Sequence, residues 1–301
     1  MARHNLPDYN SQVGQRALRI SMQRLLVALC WDRELFLMVN PDRVLALSGG
    51  RNFRDLGGYP SADGRQTKWR HVYRSGVMAS LTEADYRRLD ELGIKVICDL
   101  RTTAERAAAP FANTGSIKPL YRSWDYAIDP EAWSGLAEMS SPAAADLRSL
   151  MMKNYAKLPW QFVDQFRAVF EHLAKSETPL IFNCAGGKDR TGIAAALLLT
   201  ALGVPRETVI EDYALTERVV DFERISTSSP EAKREAAAAG FSFLSNLPRE
   251  VQVPVIRSDP DYLRHSFEAL EAREGSVMAF IKNRLGIDDQ MLAGIRNHLL
   301  E

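Results

Sequence analysis

A chain of 301 residues, 46% hydrophobic, 25% charged and 9% aromatic, has an ordinary globular composition and is long enough to bury a full core. Its 38 basic and 38 acidic residues cancel, which excludes a global pull toward nucleic acid or an anionic membrane; any anion preference must be local. Three scattered cysteines (Cys30, Cys98 and Cys184) fit neither a disulfide framework nor a zinc site, and they predict a reducing, cytoplasmic setting, with export as the alternative.

Residues 1–43 read as an N-terminal extension, and residues 44–301 as the main domain. Within the extension, Arg24 to Trp31 faintly imitates a signal peptide, but its apolar part is short and Asp32-Arg33-Glu34 cuts it off. The expectation is an amphipathic helix. No stretch of the chain approaches the roughly 18 apolar residues of a membrane span, so no integral membrane segment is expected. Turn chemistry fills 44–76 around short strands, the clearest being Val72-Tyr73-Arg74. Thr82 and Asp85 have capping-box spacing, Tyr86, Leu89 and Leu92 form an apolar stripe, and Gly93 stops that helix. Ile94 to Leu100 and Ile117 to Trp124 read as strands, with loop and short helices from Asp125 to Ser149. One helix is expected from Trp160 to Lys175, a strand from Thr178 to Cys184, and a helix from Thr191 to Leu202. Beyond Glu207 the pattern is helical, including a helix opened by Ser229-Pro230 and closed at Gly240, and another opened by Pro260 and closed near Gly275. The alternation predicts an α/β fold: a mostly parallel central sheet flanked by helices, with a helical C-terminal part that could serve as a lid.

The chemistry concentrates in Asn183-Cys184-Ala185-Gly186-Gly187-Lys188-Asp189-Arg190-Thr191-Gly192, where a strand runs through a short loop into a helix. Five residues between Cys184 and Arg190 are about enough to wrap one tetrahedral oxyanion with backbone N–H groups, and the helix adds its positive end. Ala185, Gly186, Gly187, Lys188, Asp189 and Arg190 are therefore candidate phosphate-binding residues. A free thiol ionises near pH 8.5, and cations and a helix N-terminus lower that value to roughly 3.5–7.5. Cys184 is the candidate nucleophile and Arg190 the candidate two-pronged clamp. The Thr191 hydroxyl is placed to help the thiolate leave. A lone cysteine is more often a small buried hydrophobe, the reading given to Cys98. Cys184 differs from the other two in having an arginine six residues on.

These residues resemble the signature loop of the bacterial tyrosine-phosphatase-like family, close to His-Cys-x-x-Gly-Lys-Asp-Arg-Thr-Gly. Asn52-Phe53-Arg54-Asp55-Leu56-Gly57-Gly58, Tyr73-Arg74-Ser75-Gly76, Asp99-Leu100-Arg101-Thr102, Asp212-Tyr213, Glu274-Gly275-Ser276 and Leu285-Gly286-Ile287 follow in the family's order. The resemblance implies a protein-tyrosine-phosphatase-like fold and a cysteine-dependent phosphatase that needs neither metal nor other cofactor. Its partners would be phosphorylated protein or phosphoinositide substrates. It assigns Cys184 as nucleophile, Arg190 as clamp, and Lys188 and Asp189 to the active site. The general acid is either Asp189 or Asp125, the latter just past the strand ending Ser123-Trp124; a solvated turn aspartate is the alternative at 125. Asn183 departs from the family's histidine and brings no positive charge, which predicts a weaker or more alkaline enzyme. Lys188 would suit a polyphosphorylated headgroup, although Ala185 stands where some lipid phosphatases have a second lysine. Tyr59, Trp124 and Tyr126 could wall a phosphotyrosine ring or belong to the core. A weakened phospho-ligand binding module and a sulfurtransferase are the competing readings.

Overall fold

The computed structural model describes residues 43–127, 141–220 and 246–301, with isolated positions at 234, 237, 238 and 244. The expected helices within Arg24 to Trp31 and from Ser229 to Gly240 fall largely or wholly outside those residues. The description below concerns the unit Val44–Glu301.

Five strands form one sheet in the order β1-β2-β5-β3-β4. They are β1 Arg54–Asp55, β2 Val72–Ser75, β3 Val96–Asp99, β4 Leu120–Ser123 and β5 Leu180–Asn183. β1 is antiparallel to β2, and every other pairing is parallel. Period-two alternation sorts the buried residues: Val96, Cys98, Leu180 and Phe182 join the main core, while Ile97, Ile181 and Tyr73 face a smaller cluster with Phe53, Tyr86 and Leu89. Each large side chain removed from water in these layers stabilises the fold by about 1.5–3 kcal/mol. The sheet therefore carries helices on both faces, as parallel strands require.

Eleven helices occur among the described residues. α1 (Glu83–Leu92) has the expected capping box, with Thr82 Oγ1 accepting from Asp85 N at 3.2 Å and Asp85 Oδ2 accepting from Thr82 N at 2.9 Å. Burial would raise the Asp85 pKa, but the backbone donors of Thr82, Gly49 and Ser48 outweigh it and hold it below the usual carboxylate range. α2 (Thr103–Ala108) follows β3 directly. α3 (Ala144–Tyr155) begins inside the span expected to hold loop with short helices and runs on beyond it, with the Asp146 carboxylate accepting from Ala143 N at its start. The small residues that suggested loop are also good helix formers once Leu147, Met151 and Tyr155 are buried.

The single helix expected from Trp160 is two: α4 (Leu158–Gln161) and α5 (Val163–Ala174), broken at Phe162. Pro159 starts the short first piece, and Phe162 leaves helical geometry at φ −121° and ψ 27°. α6 (Asp189–Ala201) is almost wholly buried and starts two residues before the expected Thr191. α7 (Arg206–Val219), α8 (Arg249–Ile256), α9 (Pro260–Glu274), α10 (Val277–Asn283) and α11 (Asp289–Leu299) complete the helical C-terminal part. None of the helices among the described residues is long and apolar enough to cross a membrane.

Candidate active site

β5 is the central strand, and the loop after it leaves the carboxyl end of the sheet, where open α/β sheets bind ligands. Cys184 is the first loop residue and is buried. The next three carbonyls all point away from the loop interior. Ala185 O accepts from Val77 N at 2.9 Å. Gly186 O and Gly187 O accept from Asn52 Nδ2 at 3.4 and 2.7 Å, and Gly187 O also accepts from Arg74 Nη2 at 2.9 Å. Because each peptide unit is planar and trans, the N–H groups of Gly186, Gly187 and Lys188 point the opposite way, into the cradle. Gly187 is required there: its φ is +66°, and a Cβ would lie 2.6 Å from Gly76 N.

A buried polar frame holds that loop from behind. Asp212 on α7 pairs with Arg54 Nε at 3.2 Å and Arg74 Nη1 at 2.5 Å, and accepts from Tyr59 Oη at 2.9 Å. Arg54 Nη2 further donates to Asp212 O and Thr216 Oγ1, and Arg54 Nη1 donates to Asn52 Oδ1. Burial first, then the neighbouring Arg74 charge, lowers the Arg54 pKa to about 10 against the opposing pull of Asp212. Tyr59, one of the aromatic residues considered for the cleft wall, is thus a core residue tied to the frame.

Arg190 is fixed by four hydrogen bonds. Its Nη1 and Nη2 donate to the two carboxylate oxygens of Glu105 at 2.6 Å each, and Nη1 donates to Leu100 O and Tyr126 Oη at 3.0 Å. Burial alone would lower the guanidinium pKa, but Glu105, Tyr126 and the Cys184 sulfur together hold it well above its ordinary value. Glu105 shows the reverse balance: burial raises its pKa, and Arg190 brings it below the carboxylate range. Glu105 was not among the candidates from sequence. Its signal was nonetheless present, because Thr102-x-x-Glu105 is a capping box: Thr102 N donates to Glu105 Oε2 at 2.7 Å and Thr102 Oγ1 accepts from Glu105 N at 3.1 Å. One carboxylate therefore starts α2 and orients Arg190, the candidate clamp.

The remaining candidates lie as follows. Thr191 is buried, with Oγ1 3.5 Å from Ser75 O. Lys188 is buried, and its Nζ donates to Val255 O at 2.5 Å and Arg257 O at 3.2 Å, the carbonyls ending α8. The Asp189 side chain is 29% exposed, and its Oδ1 accepts from Tyr155 Oη at 2.6 Å. Asp125 is 88% exposed and pairs with Arg106 at 2.6 Å. Of the two acid candidates, Asp189 opens α6 directly after the loop, and Asp125 is held in an exposed ion pair with Arg106. Asn183 donates from Nδ2 to Asp99 Oδ1 at 3.2 Å, while its buried Oδ1 has no hydrogen-bond partner among the described residues. Cys98 is fully buried with its thiol pKa pushed up to about 12 by burial, which makes it a packing residue.

Comparison with known proteins gives the same picture. The model of the tyrosine phosphatase family matches residues 45–301. A Cupriavidus necator protein, provisionally named a tyrosine-protein phosphatase, is 30% identical over 265 residues, 85% of this chain and 88% of its own length. The triple specificity protein phosphatase PtpB of Mycobacterium tuberculosis is 24% identical over 281 residues, 85% of this chain and 99% of its own. A tyrosine-protein phosphatase of Nostoc commune is 31% identical over 156 residues, 49% of each chain. With the family match covering the sheet, the loop and every helix described here, the chain belongs to the tyrosine phosphatase family and is a protein-tyrosine-phosphatase-like enzyme.

Proposed function

We propose that this phosphatase hydrolyses phosphotyrosine through a phosphocysteine intermediate, with Cys184 as nucleophile and Asp189 as general acid. The observation carrying this reading is the Cys184 loop: its carbonyls turn outward, and Glu105 fixes Arg190 at its far end. In the first step the thiolate attacks phosphorus, the S–P bond forms, and the P–O bond to the leaving group breaks. Asp189 passes its proton to the departing oxygen. In the second step water attacks phosphorus, the S–P bond breaks, and the Asp189 carboxylate takes a proton from that water. Thr191 donates to the departing sulfur. Arg190 and the loop amides meet the charge on the equatorial oxygens, which is where catalysis of phosphoryl transfer chiefly resides. Asp125, in an exposed ion pair, is the weaker acid candidate.

The direction in which the cations point bears on the substrate class. Lys188, the residue that would favour a polyphosphorylated headgroup, spends its ammonium on the carbonyls of Val255 and Arg257. This supports a single-phosphate substrate over a phosphoinositide bearing several. The name of the mycobacterial relative, a triple specificity protein phosphatase, supports a substrate range wider than one phosphorylated residue type. Asn183 brings no charge to the sulfur, which supports a weaker enzyme than one with a histidine at that position.

Initial rates on matched phosphotyrosine and phosphoserine peptides and phosphoinositide vesicles test the assignment. Phosphotyrosine should lead by at least about tenfold in kcat/KM, or ~1.4 kcal/mol in transition-state binding. A tenfold preference for bisphosphorylated inositol lipid would overturn it.

A further inference from the structure

The two oxygens of Asp189 keep different company. Oδ1 accepts from Tyr155 Oη at 2.6 Å and lies 3.4 Å from Lys188 Nζ. Tyr155 Oη is itself 2.6 Å from Tyr213 Oη. A phenol has one proton to give. Since Tyr155 gives its proton to the carboxylate, the second bond must run from Tyr213 to Tyr155. The chain thus has one direction, Tyr213 to Tyr155 to Asp189. Both phenols are buried, and burial, reinforced by the Asp189 charge, pushes both pKa values well above that of ordinary tyrosine. Neither ionises at working pH, so Tyr155 is a permanent donor.

The surroundings hold the two rings in place. Tyr155 ends α3, Tyr213 sits on α7, and their rings meet edge-on at 5.9 Å. The α6 helix that carries Asp189 has Gly192 against Tyr213; a Cβ at that position would fall 2.9 Å from the ring. Three helices therefore converge on a hydroxyl pair whose terminal acceptor is the candidate acid.

On the reading of Asp189 as general acid, we infer that Tyr155, backed by Tyr213, is a positioning residue that pins Oδ1 of Asp189 and reserves Oδ2 for the proton passed to the leaving oxygen. With Oδ1 accepting from Tyr155 beside the Lys188 ammonium, the carboxyl proton resides on Oδ2 and the group cannot rotate it away from the substrate. The transfer balances: the Oδ2–H bond breaks as the alcohol O–H forms, the P–O electron pair stays with the leaving oxygen, and both tyrosines remain neutral.

Tyr155→Phe removes the donor and keeps the ring. The comparison is kcat/KM on phenyl phosphate, whose leaving oxygen needs a proton, against p-nitrophenyl phosphate, whose leaving oxygen does not. On phenyl phosphate the variant should lose about tenfold, and on p-nitrophenyl phosphate less than about twofold. Asp189→Asn should show the same selectivity with a larger loss, and the double variant should lose no more than Asp189→Asn. If Asp189→Asn shows no leaving-group selectivity, the acid assignment itself falls. If Asp189→Asn shows it and Tyr155→Phe does not, the positioning role alone is overturned. Should Tyr155→Phe fail to fold, Tyr213→Phe serves instead. It should lose about threefold on phenyl phosphate only, and an equal loss on both substrates overturns the inference.

Discussion

Cys184→Ser should lower kcat on a phosphotyrosine peptide by at least ~10⁴-fold while leaving inorganic phosphate affinity within about threefold. The substitution replaces one small buried atom and leaves the cradle intact. The loop carbonyls are held by Val77, Asn52 and Arg74, and Arg190 is held by Glu105, Leu100 and Tyr126. None of those bonds involves the sulfur. What disappears is the nucleophile, because a serine hydroxyl is intrinsically a far weaker nucleophile than a cysteine sulfur. Phosphate release from the quenched peptide reaction gives the rate, and isothermal titration with phosphate gives the affinity. A serine variant within tenfold of wild type would place the nucleophile elsewhere. Loss of both rate and phosphate affinity would instead indicate a collapsed loop.

The second large effect belongs to stability. Asp212→Ala should destabilise the fold by about 3–5 kcal/mol, the usual consequence of removing one partner from a buried ion pair. For a domain of this size that corresponds to a melting temperature roughly 10–15 °C lower. The cause is specific: the side chains of both Arg54 and Arg74 are fully buried, and Asp212 is the carboxylate paired with each of them. Removing it leaves two adjacent guanidinium groups in a dry environment. The same change frees Arg74 from one of its two anchors, and Arg74 holds Gly187 O. Activity measured well below the melting point should therefore also fall. Asp212→Asn, which keeps some hydrogen bonding but no charge, should lie between the alanine variant and wild type. A melting temperature within about 2 °C of wild type for the alanine variant would refute this account of the frame.

Much of the fold is legible because local signals agree with the tertiary outcome. The strands at Val96–Asp99 and Leu180–Asn183 lie inside their expected apolar runs, and the Thr82 capping box and Gly93 stop bound α1 where the sequence puts them. The failures have equally local causes. Phe162 has a side chain that suits the apolar stripe of one long helix, yet its backbone leaves helical geometry and splits α4 from α5. The Ala-rich stretch before Leu147 carries little periodicity, so only short helices within loop are expected there, and the helix α3 instead runs on to Tyr155. At the site, Cys184, Arg190 and the loop glycines were legible because their chemistry is contiguous in sequence. Glu105, Asp212 and Tyr155 were not singled out as functional, because they reach the loop from α2, α7 and α3 across separations no periodic pattern encodes. Lys188 illustrates the converse: its type and spacing suggested a headgroup contact, while its ammonium sits on the carbonyls of Val255 and Arg257.

The measurement closest to the central claim is site-resolved alkylation. Iodoacetate near neutral pH should modify Cys184 ahead of Cys98, whose thiol is pushed up to about 12 by burial, and turnover should be lost in step with that modification. Orthovanadate, filling the cradle, should protect both the sulfur and the activity. Full hydrolytic rate in protein carboxymethylated at position 184 would contradict the account at its base.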